Sequence, residues 1–194
     1  MKDRDLIFEQ YRLIKEEEEP TMTVNSVGNR VWRLSNGELH RLDGPAYEYA
    51  NGSKEWWVNG KRHRVDGPAI EFQDGYKAWL LNDKLHREDG PAIEYGNGTK
   101  EWWVNGNLHR EDGPAIEGAD GTKEWFLNGQ RHREDGPAIE YANGYDSWYL
   151  NNTRYLGPRD WAEAVLKLHN KPHDEESIEE FLRDIYAKHA EDLL

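Results

Sequence analysis

Cysteine is missing from this 194-residue chain, and so is any long apolar run. The lack of thiols excludes disulfides and thiolate metal sites, and it agrees with a reducing compartment such as the cytoplasm. No apolar stretch reaches the roughly 18 to 20 residues that a membrane-spanning helix needs. The first twenty residues show neither the apolar core nor the small-residue cleavage site of a signal peptide. We therefore expect a cytoplasmic protein without a transmembrane segment.

Basic residues are also in short supply, because 25 Lys and Arg face 38 Asp and Glu, which gives a formal net charge of -13. Binding to nucleic acid is not expected, since neutralising phosphates requires clustered Lys and Arg. A basic protein partner fits this charge better, and self-association stays open.

The most prominent feature of the sequence is a repeat. Histidines recur every 23 residues without an insertion, at His40, His63, His86, His109 and His132. Each begins a segment of the type His-Arg-x-Asp-Gly-Pro-Ala. Fixed periods of this size are typical of repeat arrays, and 23 residues are too few for a propeller blade of roughly 40 to 50 residues. The sequence predicts a stack of small β units.

Turn signals divide each repeat. Asn59-Gly60 favours a two-residue type I′ hairpin turn, because both residues tolerate positive φ. Asp66-Gly67-Pro68 indicates a bend, in which Asp can bond the turn amides and Pro cannot extend a ladder. We expect one bent hairpin per repeat and about twelve strands in all.

The ends of the chain have helical periodicity. Ile7, Tyr11 and Ile14 share one helical face, as do Trp161, Val165 and Leu168. Asp174 is placed to cap a last helix, whose apolar face is formed by Ile178, Leu182, Ile185 and His189. The predicted fold is mainly β, an elongated antiparallel single-sheet array of hairpins with α-helical N- and C-terminal caps. The predicted segments are 1–22 for the N-terminal helix, 23–157 for the repeats and 158–194 for a helical hairpin.

Period-two alternation sorts the strand residues into columns. One column holds Trp56, Trp79, Trp102, Trp125 and Trp148, and its neighbour holds Trp57, Leu80, Trp103, Phe126 and Tyr149. The first repeat deviates, because Arg33 stands in the Trp position and Trp32 lies one residue out of register. A glutamate column, from Glu48 to Glu140, is expected to pair with nearby Arg or Lys. Gly118 interrupts a Tyr/Phe column and predicts a ring-sized notch.

The repeated His-Arg-x-Asp-Gly groups have a structural interpretation, in which they pack beside the turn, and a ligand-binding one. Equivalent residues of successive hairpins lie about 9 to 10 Å apart, whereas zinc ligands lie about 2.0 to 2.1 Å from the metal. Catalysis also needs differentiated groups, and here every repeat offers the same set. An enzyme site near His169, His173, Asp174 and Glu175 is a further alternative; helix capping is the better explanation of that cluster.

The repeat pattern W-W-V-N-G-K-R-H-R-x-D-G-P-A-I-E-Y-x-N-G resembles MORN-type repeats, over about residues 30 to 156. It also resembles variant MORN repeats of the YwqK antitoxin kind and the HRxDGPA repeat proteins of tailed phages and large DNA viruses. It departs from the usual MORN pattern in having arginine after the histidine. The resemblance implies an interaction scaffold.

Two functions follow as hypotheses. The first is a non-enzymatic, cofactor-free protein that binds another protein, as an inhibitor, an antitoxin or a bacteriophage anti-defence factor does. Its predicted contacts are Glu16, Glu17, Glu18, Glu19, Trp57, Trp103, Phe126 and Tyr149. The alternative is a module that binds a nucleotide or sugar between repeats, with His63, Arg64, His86, Arg87, His109 and Arg110 as ligand contacts.

Overall fold

A computed structural model describes residues 19–191 of the chain. The protein is mainly β and antiparallel, as predicted, and it divides after Asn97 into two compact units. We call them the N-terminal unit and the C-terminal unit. The predicted N-terminal helix falls almost entirely on residues that lie outside the described part, and where the two overlap they differ, because residues 21–24 form a strand.

The N-terminal unit contains eleven described strands. They are β1 (Thr21–Val24), β2 (Arg30–Arg33), β3 (Tyr47–Glu48), β4 (Lys54–Glu55), β5 (Trp57–Val58), β6 (Lys61–Arg62), β7 (Ile70–Glu71), β8 (Lys77–Ala78), β9 (Leu80–Leu81), β10 (Lys84–Leu85) and β11 (Ile93–Glu94). Seven of them form one antiparallel sheet in the order β1-β2-β3-β4-β7-β8-β11. The pairs β5-β6 and β9-β10 are separate small hairpins.

The C-terminal unit repeats this arrangement and ends in helices. Its described strands are β12 (Lys100–Glu101), β13 (Trp103–Val104), β14 (Asn107–Leu108), β15 (Ile116–Glu117), β16 (Lys123–Glu124), β17 (Phe126–Leu127), β18 (Gln130–Arg131), β19 (Ile139–Glu140), β20 (Asp146–Leu150) and β21 (Thr153–Tyr155). The sheet order is β12-β15-β16-β19-β20-β21, and β13-β14 and β17-β18 are small hairpins. The helices are α1 (Pro158–Leu168) and α2 (Glu175–Glu191).

Each repeat has two hairpins where the sequence predicted one. The strand run is interrupted at the central tryptophan: the Trp56 N–H donates to the carbonyl of Ala69 in the main sheet (2.8 Å), while the Trp56 carbonyl accepts from the His63 N–H in the small hairpin (3.1 Å). Asn59 and Gly60 have φ of 50° and 72°, as the predicted type I′ turn requires. The chain therefore passes from the main sheet to the small hairpin at this tryptophan.

The first repeat restores its register in a turn. The Trp32 N–H donates to the Ala46 carbonyl at 2.9 Å, the same bond that Trp56 makes to Ala69. The extra residue is absorbed in a three-residue turn at 35–37, in which Gly37 has a φ of 88° and donates its N–H to the Leu34 carbonyl. Trp32 is thus the structural equivalent of the repeat tryptophans, although it is offset in the sequence.

The core of the repeats is built from small and branched residues more than from aromatic rings. The alanines of the Asp-Gly-Pro-Ala segments, Ala46, Ala69, Ala92, Ala115 and Ala138, are fully buried, and most of the isoleucines that follow them are buried as well. The tryptophans of the first column are half-buried, except Trp148. Buried tryptophans occur at the C-terminal end, at Trp148 and Trp161.

The two helices cover the last strands of the C-terminal unit. Trp161 of α1 is completely buried; its ring centroid lies 4.7 Å from that of Trp148, and its indole N–H donates to the Arg133 carbonyl (3.0 Å). Asp174 accepts the Ser177 N–H at 2.9 Å and so caps α2 as predicted. Leu168, expected on the buried face of α1, is half exposed, and Leu166 is buried instead. In the described part of the chain, neither helix has the length and apolar character that a bilayer crossing requires.

Candidate functional site

The arginine after each histidine is the centre of a repeated structural cluster, which we call the Arg clamp. In the clamp of Arg64, Nε donates to Asp66 (2.9 Å), and Nη1 donates to the Pro68 carbonyl (3.1 Å) and to Glu71 (2.9 Å). The guanidinium carbon lies 3.9 Å from the ring centroid of Trp56. An arginine suits this position because its planar fork can bond two carboxylates while its face stacks on an aromatic ring.

The same clamp occurs in all five repeats of the described chain. The Nε to Asp distances are 2.7–2.9 Å and the Nη1 to Glu distances 2.6–3.5 Å. The guanidinium carbons lie 3.8–4.1 Å from the tryptophan centroids. The predicted pairing of the glutamate column with arginine is confirmed. The arginines are Arg41, Arg64, Arg87, Arg110 and Arg133.

The glycine of the Asp-Gly pair is part of the clamp. A Cβ at Gly67 would lie 2.8 Å from the Arg64 guanidinium carbon, closer than real Cβ contacts. Glycine therefore leaves the space that the guanidinium fills. The ion pairs affect the carboxyl groups: the hydrogen bond from Arg41 lowers the pKa of Asp43, and the hydrogen bond from Arg110 lowers the pKa of Asp112.

The repeat histidines connect successive repeats. His63 Nδ1 accepts the backbone N–H of Asn82 (3.2 Å), the left-handed turn residue of the next small hairpin. His40 has the same relation to Asn59 at 3.1 Å, and His109 and His132 have it to Asn128 and Asn151 at 3.1 and 3.3 Å. Burial lowers the pKa of His63, which favours its neutral form. The contacts of these histidines and arginines agree with the structural interpretation of the repeated motif.

The predicted partner-contact column is only partly accessible. Trp57 and Trp103 are half-buried and donate their indole N–H groups to Glu55 (2.9 Å) and Glu101 (2.8 Å). Phe126 is only 7% exposed, with the Arg131 guanidinium 5.1 Å from its centroid. The same guanidinium lies 5.8 Å from the half-buried Tyr149. Of the predicted acidic contacts, Glu19 is exposed, and Glu16, Glu17 and Glu18 lie outside the described residues.

The notch predicted at Gly118 does not exist. A Cβ there would lie 2.6 Å from Asp120 Oδ1 and 3.1 Å from the Thr122 carbonyl. Asp120 is held in this position because it accepts both the N–H (2.9 Å) and the hydroxyl (3.1 Å) of Thr122, bonds that also lower its pKa. The loop that contains Asp120 and Thr122 therefore fills the space where the missing aromatic side chain was expected to leave a notch.

The residues of the alternative enzyme site make separate contacts. Asp174 caps α2, Glu175 pairs with Arg159, and His173 Nδ1 lies 3.3 Å from the Lys171 carbonyl. His169 Nε2 instead contacts Glu134 (2.7 Å), whose other oxygen lies 3.1 Å from His132 Nε2. A cavity of about 160 Å³ adjoins this Glu134–His169 contact. Among the described residues, no group of three or more His, Cys, Asp or Glu side chains is arranged to hold a metal ion.

A row of five aromatic rings lies in the N-terminal unit near the loops at 50–52 and 73–75. We call it the aromatic row: Tyr47, Tyr49, Phe72, Tyr76 and Tyr95. Successive centroids lie 4.4, 6.2, 5.6 and 5.5 Å apart. Phe72 and Tyr95 are each 36% exposed. A hydrogen bond fixes the position of Tyr49 in the row, because its hydroxyl donates to the buried Glu55 (2.8 Å). Burial is the largest cause, and this hydrogen bond the next, of a rise in the pKa of Tyr49 to about 12.

Two shallow grooves lie along the aromatic row and share Phe72 and Asp74. One has a volume of about 420 Å³ and is lined by Phe72, Asp74, Tyr76, Tyr95, Gly96 and Asn97. The other has about 400 Å³ and is lined by Tyr49, Asn51, Ser53, Phe72, Gln73 and Asp74. Such volumes are within the usual range of ligand sites. Gly96 is required here, since a Cβ would meet the Asp74 carbonyl at 1.9 Å.

The sequence contained only part of the signal for this surface. Strand alternation places Tyr49, Phe72 and Tyr95 in one column, but the column was not singled out as a binding surface. Tyr76 lies beyond the loop, immediately before β8, so its contacts with Phe72 and Tyr95 depend on how the loop folds. In comparisons with known proteins, no protein-family model matches the chain and no curated protein matches it significantly.

Proposed function

We propose that this chain is a non-enzymatic protein that binds a protein partner through the aromatic row of its N-terminal unit. The observation that carries the proposal is the pair of adjacent grooves lined by the partly exposed rings of Phe72 and Tyr95. Aromatic residues are enriched at the centres of protein interfaces, where they contribute large apolar area at a low cost in conformational entropy. The repeated charged residues, in contrast, are engaged in the Arg clamps.

The partner that fits best is basic. The formal net charge of -13 favours encounter with a positively charged protein. The resemblance to antitoxin-type MORN variants and phage repeat proteins supports a more specific role, in which the chain occupies and inhibits a toxin or a host defence protein. This role needs no cofactor and no catalytic residue.

The test is to isolate the partner and to reconstitute the complex. Affinity purification from the native host followed by mass spectrometry would identify candidates, and light scattering on the purified pair should give one partner per chain. Phe72→Ala should weaken the complex by about tenfold or more, as is usual for an aromatic residue at an interface centre. Tyr141→Ala is the matched control, since Tyr141 occupies the equivalent position in the last repeat and is comparably exposed. A complex that resists Phe72→Ala would contradict the proposed surface.

A small-ligand module is the second candidate. It is favoured by the amide and carboxylate groups of Asn51, Asp74 and Asn97 at the rims of the grooves, which suit the hydroxyl groups of a sugar. Calorimetry distinguishes the two candidates by their stoichiometry. If one small-ligand molecule binds in each groove, the chain should have two similar sites. A protein inhibitor should bind at one.

A further inference from the structure

An arginine, a carboxylate and an aromatic ring occur together repeatedly in this chain. In the five Arg clamps, the guanidinium carbon lies 3.8–4.1 Å from a tryptophan centroid, and the same guanidinium is paired with Asp and Glu. Arg62, outside the clamps, has the same surroundings: its guanidinium carbon lies 4.6 Å from the Trp57 centroid, and its Nε donates to Glu55 (3.3 Å). A ring and a carboxylate are therefore the partners with which this protein holds a guanidinium.

The groove of about 420 Å³, which we call the Tyr95 groove, offers the same two partners. Phe72 and Tyr95 are each 36% exposed, and their ring centroids lie 5.6 and 5.5 Å from that of Tyr76. Among the described residues that line this groove, none is Lys or Arg, and Asp74 alone carries a full charge. The groove thus combines three rings with one carboxylate and contains no cation of its own lining.

The Asp74 carboxylate has acceptor capacity for a ligand. Its Oδ1 accepts the Tyr76 N–H at 3.0 Å, which fixes the carboxylate within the exposed loop. An ionised carboxylate has about four acceptor positions, so this single bond leaves room for a guanidinium. Lys77, the nearest basic residue in the sequence, lies opposite Glu71 and Glu94 in the sheet register. Lys77 is therefore a cross-strand neighbour of two other carboxylates.

We propose that the Tyr95 groove binds one arginine side chain of the protein partner. The guanidinium stacks on the rings of Phe72 and Tyr95 and donates hydrogen bonds to Asp74. Ring faces attract cations because they carry negative partial charge. Arginine suits the groove better than lysine, since its planar fork can stack on a ring and bond a carboxylate at the same time. This inference rests on the proposed function and specifies the residue by which the partner is recognised.

The sequence offers this combination in one of the five repeats. The ring position of the aromatic row, the loop position two residues later and the position four residues later are Phe72, Asp74 and Tyr76 in that repeat. The corresponding triplets of the other repeats are Tyr49-Asn51-Ser53, Tyr95-Asn97-Thr99, Gly118-Asp120-Thr122 and Tyr141-Asn143-Tyr145. A carboxylate thus coincides with a ring in the Phe72 repeat alone, and we expect one arginine site per chain.

The other repeats supply matched controls. Asp120 is the equivalent of Asp74, and its Oδ1 accepts the Thr122 N–H at 2.9 Å, but Gly118 and Thr122 stand where the Phe72 repeat has rings. Replacing Asp120 by Asn therefore changes the net charge as Asp74→Asn does, without altering a ring-lined groove. Tyr141 is the equivalent of Phe72 in a repeat that has no carboxylate in the loop position.

The experiment titrates the full chain, labelled with nitrogen-15, with three tripeptides and follows its backbone amide resonances. Each tripeptide has blocked ends and two glycines that flank arginine, lysine or citrulline; citrulline has nearly the shape of arginine without its charge. We expect the arginine tripeptide to cause saturable shifts at Asp74, Gly75 and Tyr76. The lysine tripeptide should bind more weakly, and the citrulline tripeptide should show no saturation.

Four variants locate the site. Asp74→Asn keeps an oxygen that can accept the Tyr76 N–H, and it should weaken the arginine tripeptide by about fivefold. Asp120→Asn should weaken it by less than about twofold at 0.15 M salt, because charges more than about 8 Å away are screened. Phe72→Ala should weaken it by about two- to fivefold, and Tyr141→Ala should leave it unchanged. The amide spectrum of each variant establishes folding; if Phe72→Ala does not fold, Asp74→Asn still decides the outcome.

Four results would overturn the arginine site. They are an absence of shifts in the groove, equal binding of the arginine and lysine tripeptides, equal losses from Asp74→Asn and Asp120→Asn, and preferential binding of chitotriose in the groove. Equal losses would assign the attraction to the net charge of the chain.

The reconstituted partner complex distinguishes this inference from the proposed function. A complex that Phe72→Ala weakens and Asp74→Asn leaves unchanged would refute the arginine site and leave the proposed function intact. The lack of any Phe72-dependent partner complex would refute the proposed function itself.

Discussion

At the residue scale, the repeated motif is explained by what the arginine contacts. The histidine accepts a turn amide of the next repeat, the arginine bonds Asp and Glu, and the glycine gives the guanidinium room. Individual exposed ion pairs contribute little, about 0 to 1 kcal/mol. The clamp differs from these because the arginine is also stacked on a half-buried tryptophan, so its removal would uncover apolar surface.

The clamp predicts the effect of filling the glycine space. Gly67→Ala should displace the Arg64 guanidinium from Trp56 and lower the free energy of unfolding by about 1 to 3 kcal/mol. Urea unfolding measures this loss. In an Arg64→Ala background the same change should cost much less, because the side chain with which the new Cβ collides is gone. Equal costs in the two backgrounds would place the strain in the backbone.

The buried histidine predicts a pH dependence of stability. Burial lowers the pKa of His63 from its usual 6.5, so the unfolded state takes up its proton at higher pH than the folded state. The contribution of His63 to stability is therefore complete above about pH 6.5 and declines as the pH falls below it. His63→Gln should reduce the stability difference measured between pH 7.5 and pH 5.5. An unchanged difference would mean that other groups produce it; the exposed His173 provides the control substitution, His173→Gln.

At the element scale, two-residue strands are held in place by turns and by burial at their ends. The turns at Asn59-Gly60 and at residues 50–52 fix the register, since the positive φ of Asn59, Gly60 and Gly52 is set by residue type. The alanines that end the Asp-Gly-Pro-Ala segments are fully buried. The strands β1, β2, β20 and β21 are longer, and β20 and β21 pack against α1.

Substitutions at two positions of α1 are expected to differ sharply in their effect on the free energy of unfolding. Trp161→Ala should lower the free energy of unfolding by about 3 to 5 kcal/mol, because a fully buried ring and its hydrogen bond to Arg133 are lost. Leu168→Ala should change it by less than about 0.5 kcal/mol, since Leu168 is half exposed. Thermal unfolding of the two variants compares them directly. Similar losses would show that Leu168 is packed.

At the scale of the whole molecule, the net charge follows directly from the sequence. The formal net charge of -13 is far from neutrality, which favours solubility and attraction of basic partners over long range. The described ion pairs of the repeats are largely internal to the Arg clamps. Glu19, the described residue of the run from Glu16 to Glu19, is exposed.

This charge predicts a salt-dependent association rate. Replacing Glu16, Glu17, Glu18 and Glu19 by Lys changes the net charge from -13 to -5, and it should slow association with a basic partner several-fold at low ionic strength. The effect should shrink near 1 M salt, where the Debye length is about 3 Å. Stopped-flow kinetics at the two salt concentrations measures it. A rate that does not change at low salt would assign the association to the aromatic row alone.

The sequence by itself determined the repeat period, the antiparallel β class, the type I′ turns, the capping of α2 and the pairing of the glutamate column. These follow from local rules: positive φ requires Asn or Gly, and alternation places every second side chain on one face. The tertiary structure decided which apolar column is covered and which is exposed. It put arginines over the tryptophans, filled the space at Gly118 with a loop and brought Tyr76 against Phe72 and Tyr95. Such contacts join residues from different strands and loops, so their geometry depends on the folded backbone and cannot be read from periodicity.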